Sequence, residues 1–320
     1  LSHFMIRRTL AVFILLFSLA PAAGAVEKSG EIRGLWVTRF ELSTPERVVQ
    51  CIAWAKRERF THIFAQIRGR GTTLYTSDIE APSEEMPVPF DALALAVDEA
   101  HKAGIQLHAW MNITYVWSKP DNPSSPTHPI YRFPNAVLRT KEGVYMDIRH
   151  PWAAQHVLSL VEEVAAKYTV DGIHLDYIRY PFGFLPREND ARYITNLVER
   201  ISQKVKAARP AAAVSAAVIM PLARAKKSVG QDWEIWMQKG IVDFVGPMAY
   251  TDRFDLFQTF VRDVAALPND VPRILGIGAY ANTREGCLRQ IAEVQKTRAH
   301  HPKVGGYCLF SYDSLIKETR

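Results

Sequence analysis

The stretch Val170-Asp171-Gly172-Ile173-His174-Leu175-Asp176-Tyr177-Ile178-Arg179-Tyr180-Pro181 governs how the rest of the chain is read. Ile173, Leu175 and Tyr177 alternate with His174 and Asp176, the period-2 pattern of a strand. The apolar positions would lie against helices, while His174 and Asp176 project together from the other face. Pro181 cannot continue a hydrogen-bonded ladder, so the strand ends where charged and aromatic residues gather. A carboxylate at the C-terminal end of a buried strand is costly unless it is hydrogen-bonded or used. Asp176 is therefore the first candidate catalytic residue. The plainer reading is a loop cap or an ion pair with Arg179.

Outward from this stretch the same rhythm repeats. Apolar strand-like runs fall at 31–38, 62–68 and 106–112 before it, and at 213–219, 242–248, 273–277 and 304–310 after it. Helical segments separate them at 44–59, 90–103, 152–168, 190–208, 254–267 and 284–299. A short helix carrying Trp233 and Trp236 lies between the fifth and sixth strands. Thr44 reads as an N-cap with Pro45 in the first turn, and Gly104 as a helix stop. Consecutive parallel strands need such crossovers. Eight of these units predict an α/β fold, a single-domain (β/α)8 TIM barrel. The rival, an open doubly wound sheet, would carry a Gly-rich phosphate turn after an early strand. Gly69-Arg70-Gly71 is too sparse for that. The segment 113–151, rich in Pro, Asn, Ser and aromatics, reads as a long loop serving substrate binding.

Composition narrows the function classes. The 320 residues are 48% apolar and 22% charged with a net charge of +6, which suits a globular domain and falls short of nucleic-acid binding. Met5-Ile6-Arg7-Arg8, the apolar run from Leu10 to Leu19 and Ala23-Gly24-Ala25 read as a secretory signal peptide over 1–25, with 1–4 an upstream remnant. The domain then spans 26–320, in a periplasmic or secreted protein with no stable membrane insertion after cleavage. The apolar run is short for a membrane span. Cys51, Cys287 and Cys308 form neither a disulfide framework nor a metal-ligand pattern, and no cofactor is expected.

In a barrel, chemistry sits at the C-terminal ends of the strands. In order, those ends carry Arg39 and Glu41, Gln66 and Arg68, Trp110 and Asn112, His174 and Asp176, then Met248, Tyr250 and Asp252, and lastly Ser311, Tyr312 and Asp313. Tyr115, Trp117, Tyr131, Trp233 and Trp236 add aromatics in the loops. Aromatic faces pack on pyranose CH surfaces, and planar amide, guanidinium and carboxylate groups match paired hydroxyls. The expected partner is a polysaccharide. Glycoside hydrolysis uses two carboxyl groups: Asp176, and a second drawn from Asp313, Asp252 or Glu41. Arg39, Glu41, Arg68, Trp110, Asn112, His174 and Tyr250 would shape the sugar subsite, with His174 tuning Asp176 from one pleat below. A metal-dependent hydrolase on His108, His174 and Asp176 fits by ligand type. No His-x-His pair occurs at any strand end, however, and no metal is expected.

Four pieces carry a family resemblance: GLWVTRF (34–40), QIRGRGTTLYTS (66–77), HAWMN (108–112) and DGIHLDYIRYP (171–181). Through them the chain from about Arg33 to Leu315 resembles the glycosyl hydrolase-like 10 family of bacterial envelope proteins. The resemblance implies a (β/α)8 fold and an exported hydrolase of peptidoglycan or a related amino-sugar polymer. More distantly, the chain is similar to the family 18 chitinases, which carry DGxDxDxE on strand four and Met-x-Tyr on strand six. Asp171 to Asp176 follow the first motif in part, and Met248-Ala249-Tyr250 follow the second. Ile178 stands where the chitinase acid would be, so that proton donor is missing. Either Asp176 is itself the acid, or a substrate N-acetyl group assists with Tyr250 steadying the intermediate, or the barrel binds glycan without cutting it.

Overall fold

The computed structural model describes residues 30–184, 187 and 190–317, and in it the eight expected strands close into a parallel barrel. They are β1 (Ile32–Val37), β2 (His62–Gly69), β3 (Gln106–Asn112), β4 (Gly172–Asp176), β5 (Ala213–Ile219), β6 (Phe244–Met248), β7 (Arg273–Gly278) and β8 (Val304–Phe310). Each pairs in parallel with the next. The ring closes at β1, where Trp36 lies opposite Phe64 on one side and Phe310 on the other. The signal segment expected at 1–25 lies outside the described residues.

Helices fill the crossovers at Pro45–Arg57, Ala92–Ala103, Pro151–Lys167, Ala191–Ala208, Phe254–Ala265 and Arg284–Arg298. Their ends follow local chemistry. The Thr44 hydroxyl accepts the Arg47 N–H, and Asp91 accepts that of Ala94. Gly104 stops the second helix in the left-handed region at φ 75°.

Strand alternation builds two cores. Outward-facing Leu35, Ile63, Ile67, Ala109, Ile173, Leu175 and Val218 are buried beneath the helices. Inward-facing Trp36, Phe64, Trp110, Phe244, Ile274 and Cys308 form a separate cluster that fills the barrel. Burying each such large side chain contributes about 1.5–3 kcal/mol. Glycine makes room for them: a Cβ at Gly172 would fall 2.2 Å from His108 Nδ1, and one at Gly276 3.1 Å from Trp36 Cη2. His108 packs deep in the barrel between Phe64 and Phe244 at 5.0 and 5.6 Å, and burial keeps it neutral, well below the ordinary histidine range.

Two expectations change. The segment 113–151 is no bare loop but carries an antiparallel sheet of Tyr115–Trp117, Gly143–Met146 and Val137–Thr140. Pairing satisfies backbone groups that an irregular loop would leave to water, and it buries Val116, Val144, Tyr145 and Met146. Trp233 and Trp236 are not loop aromatics for a ligand: both are fully buried, their indole N–H groups donating to the Ile219 carbonyl and the Thr195 hydroxyl. Cys51, Cys287 and Cys308 are buried free thiols. Among the described residues no helix is long and apolar enough to cross a membrane.

Candidate active site

Asp176 ends β4 at the C-terminal mouth, opposite Asn112 of β3. Its carboxylate is half-buried and accepts two hydrogen bonds, from the Tyr177 backbone N–H at 2.6 Å and from Trp110 Nε1 at 3.1 Å. Burial pushes the carboxyl up to about 6, against the Tyr177 N–H, Arg179 and Trp110, which favour the ionised form. The backbone here is strained. Tyr177 sits at φ 49°, a conformation that costs a non-glycine residue about 1–3 kcal/mol. The Ile113 and Thr114 N–H groups hold it by donating to the Asp176 and Tyr177 carbonyls at 2.8 and 3.2 Å. The Tyr177 ring stacks on Tyr115 of the inserted sheet at 4.6 Å, so that sheet abuts the site.

A polar line crosses the mouth from β1 to β3. The Arg39 backbone N–H and Nη1 both donate to Gln66 Oε1, at 3.1 and 3.3 Å, and Gln66 Nε2 donates to Asn112 Oδ1 at 3.2 Å. Sequence reasoning missed the carboxylate that completes this line. Glu85, on the loop between β2 and the second helix, lies 3.4 Å from Arg39 Nε and 2.9 Å from Arg70 Nη1, and accepts from Ser83 Oγ. Burial would raise its carboxyl, but Ser83, Arg39 and Arg70 outweigh that and hold it below its ordinary value. The available signal was a loop too long to be a mere connection between β2 and its helix.

An aromatic arc also stands at this end of the barrel. Trp110 and Phe310 are 6.3 Å apart, Phe310 stacks on Tyr250 at 5.5 Å, and Tyr250 meets Trp36 edge-on at 6.3 Å. Burial and the nearby Asp176 charge keep the Tyr250 hydroxyl protonated well above the ordinary range.

Three residues expected in the sugar subsite are placed elsewhere. Arg68 is 1% exposed; its guanidinium donates to both Glu80 oxygens, at 2.8 and 2.6 Å, and to the Asn112 carbonyl. His156 adds a 2.8 Å contact to Glu80, and although burial would raise that carboxyl, Arg68 and His156 hold it at about 2. Arg68 is thus a buried clamp, with no group left to offer a sugar. His174, also 1% exposed, does not reach Asp176: Trp36 Nε1 donates to its Nε2 at 3.1 Å, which leaves Nδ1 to donate to Ser215 Oγ at 2.9 Å. Burial brings it down to about 3, so it is a neutral brace inside the barrel. Glu41 turns to Arg47 of the first helix at 3.5 Å.

Neither other expected carboxylate shares a hydrogen-bond or ion-pair partner with Asp176 among the described residues. Asp252 is exposed beyond β6, and Asp313 lies on the short helix after β8, bonded to Ser311 Oγ and 3.5 Å from Lys317. The metal trio His108, His174 and Asp176 does not converge, since both His174 nitrogens are engaged and His108 sits deep among Phe64 and Phe244. No group of three or more His, Cys, Asp or Glu among the described residues is placed to hold a metal.

Comparison with known proteins bears on the family and the fold. The chain is 24% identical to glycosyl hydrolase DigH of Escherichia coli K12 over 333 aligned residues, covering 81% of this chain and 76% of that protein. It is 26% identical to glycosyl hydrolase YngK of Bacillus subtilis over 198 residues, covering 50% of this chain and 39% of that one. In fold it is similar to an endo-1,4-beta-mannanase from Rhizomucor miehei, with a TM-score of 0.63 at 12% identity over 90% of this chain and 87% of the other. The glycosyl hydrolase-like 10 model matches residues 31–192, more than half of the chain. The chain therefore belongs to the glycosyl hydrolase-like 10 family and is a glycoside hydrolase on a (β/α)8 barrel.

Proposed function

We propose that the chain cleaves glycosidic bonds in bacterial cell-wall glycan, either peptidoglycan strands or a related amino-sugar polymer, in the periplasm or after secretion. The observation that carries the chemistry is the Asp176 carboxyl, half-buried at the mouth and pushed up to about 6. Such a group still holds its proton in an appreciable fraction of molecules near neutrality, as a general acid must. Asp176 gives that proton to the glycosidic oxygen as the bond to the anomeric carbon breaks. A second carboxylate, ionised, then activates water or attacks that carbon.

Glu85 is a further candidate for the second role, linked through Arg39 and Gln66 to Asn112, the residue opposite Asp176. Its environment holds it ionised while that of Asp176 does the reverse, and pushing two carboxyls apart lets one site run acid and base chemistry at one pH. Asp313 and Asp252 are the alternatives. Arg39, Asn112, Trp110 and Tyr250 shape the subsite, with Trp110 also holding the acid in place. Support for the cell-wall substrate is the envelope-protein family the motifs resemble. Support for export is the basic head and apolar run before residue 26.

The test is reducing-end release from purified cell-wall strands, with and without stem peptides, by wild type, Asp176→Asn, Glu85→Gln, Asp313→Asn and Asp252→Asn. A loss of about 10²–10⁴-fold in Asp176→Asn is expected for a missing general acid. Full activity in that variant overturns its role. The carboxylate whose loss matches it is the partner. Binding without release by wild type would make the protein a glycan-binding barrel.

A further inference from the structure

Tyr280 follows β7 in a single turn, Ala279–Ala281, at the C-terminal mouth. It is 60% exposed, although its neighbours on the arc are largely covered. Its ring stands perpendicular to both Tyr250 and Phe310, at 84° and 89° with centroids 5.9 and 6.0 Å away. Edge-to-face contacts of this kind hold an aromatic ring in place, and the exposure of Tyr280 leaves much of its ring open to solvent. The turn beneath it is held firmly. Asn282 Nδ2 lies 2.9 Å from the Gly278 carbonyl and 3.1 Å from that of Thr251, and the buried Gln290 donates to the Thr251 carbonyl at 2.7 Å. Gly278 is part of the same device, since a Cβ there would sit 3.1 Å from Tyr280 Cε1 and 3.3 Å from Tyr250 Cβ.

Continuity with the acid makes this more than an isolated exposed aromatic. Trp110 hydrogen-bonds Asp176 and packs near Phe310, and Phe310 packs on Tyr280. β8 lies across the barrel from β4, with β7 beside it, so Tyr280, which follows β7, and Asp176, which ends β4, stand at the same C-terminal mouth on opposite sides of the ring of strands. A rigid, pre-positioned aromatic face loses little freedom when a ligand settles on it. The chemistry such a face recognises is the CH surface of a pyranose.

We infer that Tyr280 is a specificity-determining sugar platform, stacking on a pyranose of the bound glycan across the cleft from Asp176. The assignment rests on the glycosidase reading above. Stacking does not need the phenol hydroxyl, which has no hydrogen-bond partner among the described residues, so phenylalanine should replace tyrosine and alanine should not.

The experiment measures KM and kcat on purified cell-wall glycan strands for wild type, Tyr280→Ala and Tyr280→Phe. Strand dissociation constants are measured for the same pair of changes in an Asp176→Asn background, where strands are not consumed. Tyr280→Ala should weaken binding and raise KM about tenfold, equivalent to about 1.4 kcal/mol, with kcat within about twofold. Tyr280→Phe should stay within about twofold of wild type. Unfolding curves for each variant establish that the barrel is intact, as expected for so exposed a side chain. If wild type binds and cleaves while Tyr280→Ala matches it, the platform falls and the glycosidase reading stands. If Tyr280→Phe fails as badly as alanine, the stacking assignment falls in favour of a hydroxyl contact. If wild type neither binds nor cleaves these strands, both fall.

Discussion

Replacing Asp176 by asparagine should make the protein more stable relative to wild type as pH rises, and by an amount the structure sets. The Asp176 carboxyl goes from an ordinary 3.8 to about 6 on folding. Between those values the folded protein holds a proton that the unfolded chain has released. Wild-type stability therefore falls as pH rises through this window. Each unit is worth 1.36 kcal/mol, so the full span amounts to about 3 kcal/mol. Starting at pH 4.5, about 1.5 units remain, or about 2 kcal/mol. Asp176→Asn carries no titrating group there. It does lose one acceptor, because the amide nitrogen only donates and the single amide oxygen replaces the two oxygens that accept from the Tyr177 N–H and Trp110 Nε1. That cost of about 1 kcal/mol is the same at every pH and drops out of the comparison. The measurement is urea unfolding of both proteins at pH 4.5 and 7.5. The stability of Asp176→Asn minus that of wild type should rise by about 2 kcal/mol between the two. Every other titrating group, including the buried histidines, cancels in that difference. A difference that is flat, or that falls with pH, would refute the claim that burial holds the proton on Asp176.

Three further outcomes follow from neighbouring groups. Trp110→Phe removes the N–H that favours ionised Asp176, so the alkaline limb of kcat/KM on cell-wall strands should move up by about 0.5–1 pH unit; a limb that stays or moves down would place that hydrogen bond outside the acid's control. His174→Ala leaves the Trp36 N–H without its acceptor and the Ser215 hydroxyl without its donor, and opens a cavity, so denaturant unfolding should register a loss of about 2–4 kcal/mol. The same variant should leave the alkaline limb where it is, and a shifted limb would return His174 to the role of tuning Asp176. Glu80→Gln strands the Arg68 charge inside the protein and should cost about 3–5 kcal/mol in the same unfolding assay; a cost under about 1 kcal/mol would show that the pair is wet and dispensable.

The (β/α)8 architecture was legible in the chain because its signals are local. Ile173 and Leu175 face the helices while His174 and Asp176 face inward, as a period of 2 requires, and the Thr44 and Gly104 caps act within a turn of their own helices. Strand length, crossover length and chain direction then leave few ways to close eight units. Asp176 as a mouth carboxylate was likewise determined by its place at the end of a strand. Alternation tells which face a residue takes, but not how deep it lies or what it meets there. His174 and Asp176 share a face, yet one pleat of depth separates a side chain with both nitrogens used internally from a half-buried carboxyl at the opening. Arg68 ends a strand as Arg39 does, and only the tertiary structure swings Glu80 in to consume it. Glu85 and Tyr280 sit outside the strands, in segments without a periodic pattern. Their places at the mouth depend on Arg39, Arg70, Tyr250 and Phe310, each brought there by a different strand or by the loop that follows one. Periodicity is a property of neighbours in sequence; burial, and with it the proton on Asp176, is a property of neighbours in space.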